Sequence, residues 1–254
     1  MEKRKKIALC LSGFIGSSGK WISGKEIDYN YGYDYIKFGI LDNADVDVFV
    51  HSYSTNHKKG ILDLYNPKKS VFEENKQFTI LGKKRDELPD PYAFSIKSMW
   101  YSRKRSVELA IDYEKENNIA YDHILLTRFD IAFFKKFEFE KYDSSKLYIA
   151  GPIKTIQSNG EEYATKVNDV YFMGNSKTMS EVIDVYNTYE NIAKQENPDY
   201  PMERVSSHKI MTYHLGEKGL FDNIDCALER PWGSSMKWYG DIRFLRADPN
   251  LKYI

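Results

Sequence analysis

The chain has 254 residues, with 37 Lys+Arg balanced by 37 Asp+Glu and five histidines, so its formal charge is zero. That balance excludes a generic polyanion binder, which carries a basic excess, and no nucleic-acid partner is expected. Apolar residues at 42 % and aromatics at 15 % exclude a disordered chain. A chain of this length buries ~70–75 % of its unfolded surface, in one sizeable domain or two small ones.

The basic start, Met1-Glu2-Lys3-Arg4-Lys5-Lys6, leads into Ile7 to Leu11, an apolar stretch too short for a signal peptide. No apolar run approaches the ~18–20 residues of a membrane helix. Cys10 and Cys226 lie far apart without a CxxC pattern and read as reduced thiols of a cytoplasmic protein.

Lys6 to Ser12 reads as a strand buried on both faces, because its apolar run does not alternate. Gly13, Gly16, Gly19 and Gly24 follow in a serine-rich loop, where glycines let backbone amides approach a phosphate or a base. The loop is neither GxxxxGK[ST], since Trp21 follows Lys20, nor GxGxxG. A helix is expected from about Tyr33 to Leu41, a second strand over Val46 to His51, and a short third one over Val71 to Glu73. Asp86 to Pro91, with two prolines, reads as a loop, and a long helix runs from Phe94 to Asn117. Tyr121 to Arg128 is another buried strand.

The second half is more irregular. Short strands are expected at Leu147 to Ala150 and Val170 to Met173, around a polar loop at Ser158-Asn159-Gly160. Helices follow at about Ser176 to Ala193 and Glu203 to Glu217, the latter stopped by Gly219, before a packed tail containing Trp232, Trp238 and Tyr239. The pattern predicts an α/β domain with a mainly parallel central sheet flanked by helices. Ligands of such sheets sit at the carboxyl ends of the strands, so chemistry is sought after Leu11, Val50 and Leu126.

Three features stand there. Ser12-Gly13 opens the glycine loop. Thr127-Arg128-Phe129-Asp130 ends an apolar strand in a carboxylate, the position at which sugar-nucleotide transferases present Asp-x-Asp to Mg²⁺ or Mn²⁺. Here Arg128 replaces the first acid, and an arginine can meet diphosphate charge directly. The literal Asp45-Val46-Asp47 lies at the wrong end of its strand and is set aside. Third, Ser98, Tyr101, Ser102 and Arg105 share one face of the long helix, opposite the stripe of Ile96, Trp100 and Val107. Those directed hydrogen-bonders suit a diphosphate or a sugar hydroxyl better than a solvated face.

Lys97 to Ser102 with Arg105 and Glu108-Leu109 resembles the helix of a family of bacterial glycosyltransferase-like proteins from capsule and surface-polysaccharide clusters. The resemblance extends to the opening strand ending in Ser12-Gly13, to Ala44 through His51, to Tyr121-Asp122 before Thr127-Arg128-Phe129-Asp130, to Asn168-Asp169 with Phe172 and Gly174, and to Tyr213-His214-Leu215. It implies a GT-A-like single domain over 1–254, with a nucleotide-sugar-binding half over about 1–130 and an acceptor half over about 131–254. It implies transfer of a sugar from a nucleotide-diphosphate donor to a hydroxyl of a capsular or surface glycan, free or lipid-linked, in the cytoplasm or at the inner face of the membrane. The alternatives are a nucleotidyltransferase or phosphotransferase of polysaccharide biosynthesis and a noncatalytic carbohydrate-binding protein.

The roles then follow from the reaction. The leaving diphosphate needs neutralising and the acceptor hydroxyl needs deprotonating. Arg105 and Arg128 are expected at the diphosphate, with Ser12, Gly13, Ser98, Tyr101 and Ser102 on the donor. Asp130 is expected to hold Mn²⁺ or Mg²⁺, or the donor ribose. Asp169 is the expected base, read as opening a strand after the polar loop, with Glu203 as second choice. His208 and His214, six apart, face different sides of a helix, share no metal and read as satisfied or solvent-facing, whereas His51 at a strand end is a candidate for lining the donor cleft, set against a structural histidine.

Overall fold

The computed structural model describes residues 4–15, 29–88, 91–156, 162–196, 206–228 and 241–245. Gly16 to Gly24, Ser158 to Gly160, Glu203, Trp232, Trp238 and Tyr239 lie outside them.

In chain order the elements are β1 (Lys6–Gly13), α1 (Tyr29–Gly39), β2 (Asp45–Ser52), α2 (Lys58–Tyr65), β3 (Lys69–Phe72), α3 (Pro91–Asn117), β4 (His123–Arg128) and β5 (Ile131–Phe133). Then come β6 (Leu147–Ile149), β7 (Pro152–Ile156), β8 (Glu162–Val167), β9 (Phe172–Gly174), α4 (Ser176–Ile183), α5 (Val185–Glu196), α6 (Ser207–Glu217), β10 (Ile224–Cys226) and β11 (Ile242–Phe244). Seven strands make one sheet in the order β10-β6-β9-β4-β1-β2-β3. Only β9 runs against its neighbours; β4, β1, β2 and β3 are parallel, as are β6 and β10. The expected α/β class and mainly parallel sheet are therefore present.

The missing alternation in β1 has the cause the sequence suggests. Ala8 and Cys10 face one core with Phe49, Ile124, Leu126 and the α3 residues Ile96, Trp100 and Val107. Ile7, Leu9 and Leu11 face a second core with Val48, Val50, Ile36, Ile61 and Phe133. Burial on both faces removes the polar positions that alternation would show.

Several boundaries differ from expectation. The Ser176–Ala193 helix is two helices, broken at Asp184, and Asn175 caps α4 by accepting from the Thr178 N–H at 2.9 Å. The last long helix begins at Ser207, not Glu203, among the described residues. Asp169 does not open a strand; it precedes β9 by three residues. β5, β10 and β11 are three residues each, too short for any period to declare them. The polar face of α3 is not opposite its burial: Ser98 and Ser102 are as buried as Trp100, because α3 lies between the sheet and α4–α5.

Candidate functional site

The register brings three expected positions into one row. Ser12 of β1 pairs with His51 of β2 on one side and Arg128 of β4 on the other. Each stands at or beside the carboxyl end of its strand, and each continues the α3-facing set of its strand, Ala8 and Cys10 in β1, Phe49 in β2, and Ile124 and Leu126 in β4. Between β1 and β4 the strand order reverses direction (β1 leads outward to β2 and β3, β4 to the other side). Such a switch point leaves a crevice above the strand ends.

On the β2 side, the turn after β1 is fixed by side chains. Gly13 has φ +101°, a region open to glycine at little cost. Its N–H donates to Ser102 Oγ at 2.9 Å, and its carbonyl accepts from Ser52 Oγ at 2.8 Å. Ser54 Oγ both accepts from the Ile15 N–H and donates to the Ile15 carbonyl, each at 2.8 Å. These amides are therefore engaged internally, not open to a phosphate. The buried His51 ring bridges Ser102 Oγ at 2.8 Å through Nδ1 and Glu73 Oε1 at 3.0 Å through Nε2. Burial pushes the His51 pKa down, against the opposing pull of Glu73, so the ring is neutral at neutral pH. Ser98 donates to Asn75 Oδ1 at 2.8 Å. Tyr101, half-buried, takes Lys76 both at its hydroxyl and over its ring, 4.6 Å from the centroid. Arg105 forms an ion pair with Glu108 at 2.7 Å and has Tyr101 and Glu73 as its other charge neighbours.

On the β4 side stands a denser charge cluster. Arg128 grips Asp130 with two bonds, Nε to Oδ1 and Nη2 to Oδ2, both 2.7 Å. Burial alone would lower the Arg128 pKa, but Asp130 outweighs it and raises it. The partner it finds on α3 is not Arg105 but Arg103, whose charge neighbours are Asp169, Arg128 and Asp130. Arg103 is 2 % exposed, stacks 4.6 Å over Trp100, and donates through Nη2 to the Asp169 carbonyl at 2.6 Å. Burial lowers its pKa to about 10, which leaves it charged. The Asp169 carboxylate lies 3.5 Å from Arg103 Nη1, 3.5 Å from His208 Nδ1, and accepts from Ser207 Oγ at 2.8 Å. Burial favours its neutral form, yet Arg103, His208, Ser207 and Arg128 together hold its pKa at about 2. So strong an acid is a weak proton acceptor.

A divalent ion does not fit these residues. Asp130 is 2 % exposed and both its oxygens are engaged by a guanidinium. The described residues contain no group of three His, Cys, Asp or Glu side chains able to hold a metal. Asp45 and Asp47 stand at the amino ends of the strands, away from this site, where Asp47 accepts from the Tyr121 hydroxyl at 2.7 Å. His208 and His214 have separate partners, the Val167 carbonyl and the Glu181 carbonyl respectively.

Two site residues lie outside the sequence expectations, Arg103 and Glu73. Arg103 carries a legible signal: 96, 100, 103, 107 and 110 form the apolar stripe of α3, and an arginine inside such a stripe needs a buried partner. Glu73 gives no such sign.

No family model and no curated protein matches the chain. Among solved structures it is similar to the glycosyltransferase GlyE of Streptococcus pneumoniae TIGR4, with a TM-score of 0.39 and 10 % identity over 88 % of this chain. The chain spans 45 % of that protein's length.

Proposed function

We propose that this chain is a glycosyltransferase that moves a sugar from a nucleotide-diphosphate donor to a hydroxyl of a capsular or surface glycan. The observation that carries this is the position of Arg128 at the β1/β4 switch point, beside Ser12, at the strand ends where open α/β sheets take their ligands. The resemblance of the α3 and strand-end motifs to polysaccharide glycosyltransferases supplies the reaction class. The engaged amides of Gly13 and Ile15 weigh against a phosphate-cradling loop, and so against a phosphotransferase.

In this reaction the leaving diphosphate gathers negative charge as the glycosidic bond breaks. A guanidinium already oriented there stabilises that charge without reorganising. Arg128 takes this role. Ser12, Gly13, Ser98 and Ser102 form the bonded floor beneath the donor, and Tyr101 and Arg105 bound its nucleoside end beside His51 and Glu73. Asp169 acts by aiming Arg103, Ser207 and His208. The acceptor hydroxyl loses its proton as the new bond forms; Glu203, the second choice for that base, lies outside the described residues. The acceptor, a glycan or a lipid-linked glycan, meets the second half of the chain. Among the described residues no helix is long and apolar enough to cross a membrane, and peripheral contact at its inner face suits a lipid-linked acceptor.

Thermal-shift titration with UDP-, GDP-, dTDP- and CMP-sugars tests this. A ligand at ~100 times its dissociation constant adds ~2.7 kcal/mol of apparent stability. One diphosphate donor is expected to stabilise the chain and CMP-sugars to fail. Absence of any shift across the panel contradicts the proposal.

A further inference from the structure

The Arg128–Asp130 pair is built into the fold from three sides. Its two bonds use Nε and Nη2, and no described residue accepts from Nη1. The guanidinium carbon lies 5.3 Å over the Phe244 ring, which fixes the plane of the group. Phe244 is itself held in register: β11 pairs antiparallel with β5, placing Phe244 opposite Ile131, and the Leu245 N–H donates to the Asp130 carbonyl at 2.9 Å. Backbone pairing therefore sets both the carboxylate that grips one edge of the guanidinium and the ring that faces it. Its side chain is 21 % exposed, against 2 % for Asp130. One edge of a rigid, planar donor is thus left for an anion, and a guanidinium matches phosphate geometry with two parallel bonds.

A cation at Asp130 would have to displace Arg128 and then sit beside two guanidiniums, Arg128 and Arg103, in a buried setting where like charges repel strongly. We infer that this site takes the diphosphate of its donor without a divalent cation, the open edge of Arg128 meeting the phosphate oxygens and Asp130 serving as the residue that positions it. This rests on the nucleotide-donor proposal above and assigns its charge-neutralising group.

Two measurements on the purified chain test the inference separately from its premise. In the first, UDP and GDP are titrated by calorimetry in EDTA and again in Mn²⁺. In the second, the chain alone is titrated with Mn²⁺ and followed by electron paramagnetic resonance. The expected results are an equal dissociation constant for UDP or GDP in both buffers and no specific Mn²⁺ signal. Arg128→Ala is expected to weaken the nucleotide about ten- to a hundredfold, the worth of one charge-assisted contact. Asp130→Asn is expected to weaken it by the same factor with or without Mn²⁺, as a positioning role requires. Binding that appears only with Mn²⁺, or a Mn²⁺ site that Asp130→Asn abolishes, overturns the inference and leaves the transferase proposal standing. Failure of both nucleotides in both buffers removes the premise and the inference together.

Discussion

Replacing Asp169 with asparagine removes the charge that Arg103 faces in the interior. Asp169 holds its proton affinity at about 2 against an ordinary 3.8, and its side chain is 12 % exposed, so screening by water is slight. A difference of that size at ~1.4 kcal/mol per pH unit makes the folded state about 2 kcal/mol more stable once the group is ionised. Because the folded value is the depressed one, this contribution is complete above pH 3.8 and disappears as pH falls toward 2. Asparagine also leaves Arg103 buried with its Nη1, which already lacks a hydrogen bond, facing a neutral amide. Breaking a buried pair from one side costs about 3–5 kcal/mol, so the loss in Asp169→Asn should reach about 3 kcal/mol at neutral pH. Urea unfolding of the wild type, Asp169→Asn, Arg103→Met and the double variant measures it. The double variant should recover part of the loss, since neither buried charge is then left alone. Strictly additive losses, or a variant as stable as the wild type, would show that the two side chains do not share one buried charge pair.

Other expected outcomes follow from the same geometry. Ser102→Ala withdraws the hydroxyl shared by the Gly13 N–H and His51 Nδ1, and should cost about 2 kcal/mol in denaturant unfolding through unsatisfied buried groups. Gly13→Ala meets open space but forces an L-residue to φ +101°, so its loss of about 1–3 kcal/mol should come from backbone strain alone. Burial lowers the pKa of His51, His123 and His214, so their stabilising contribution is complete above 6.5 and is lost as pH falls below it. Unfolding free energy should therefore drop between pH 7 and 5, and His123→Leu should flatten that slope. Arg105→Ala breaks only a half-exposed pair with Glu108, so stability should change by less than about 1 kcal/mol while the KM for the donor rises.

The sheet was legible wherever burial leaves a mark on composition. β1, β2 and β4 announce themselves as unbroken apolar runs, and α3 shows its stripe over 27 residues. The strand ends followed from topology, which is why Ser12, His51 and Arg128 fall in one row as sought. What stayed hidden was pairing at a distance. Nothing near Asp130 in sequence reveals that Phe244 closes over Arg128, because that contact depends on two three-residue strands more than a hundred positions apart. Similarly, Arg105 and Arg128 are both expected at the diphosphate, but Arg105 and Arg103 are two helical positions apart, about 200° of rotation, and so lie on nearly opposite faces of α3. Arg103, two residues earlier, is the one turned toward Asp169 and Arg128. Of the loop amides expected at a phosphate, the described ones, Gly13 N–H and Ile15 N–H, donate to Ser102 and Ser54, far along the chain.

The most direct test of the central claim is a crystal structure of the chain with the nucleoside diphosphate that stabilises it in the thermal-shift panel. The account predicts the diphosphate above the β1/β4 switch point, with its oxygens in hydrogen-bond distance of the outer edge of Arg128 and the nucleoside directed toward Tyr101. A nucleotide bound away from the carboxyl ends of the strands, or one at that edge with Arg128 turned from it, would contradict the account.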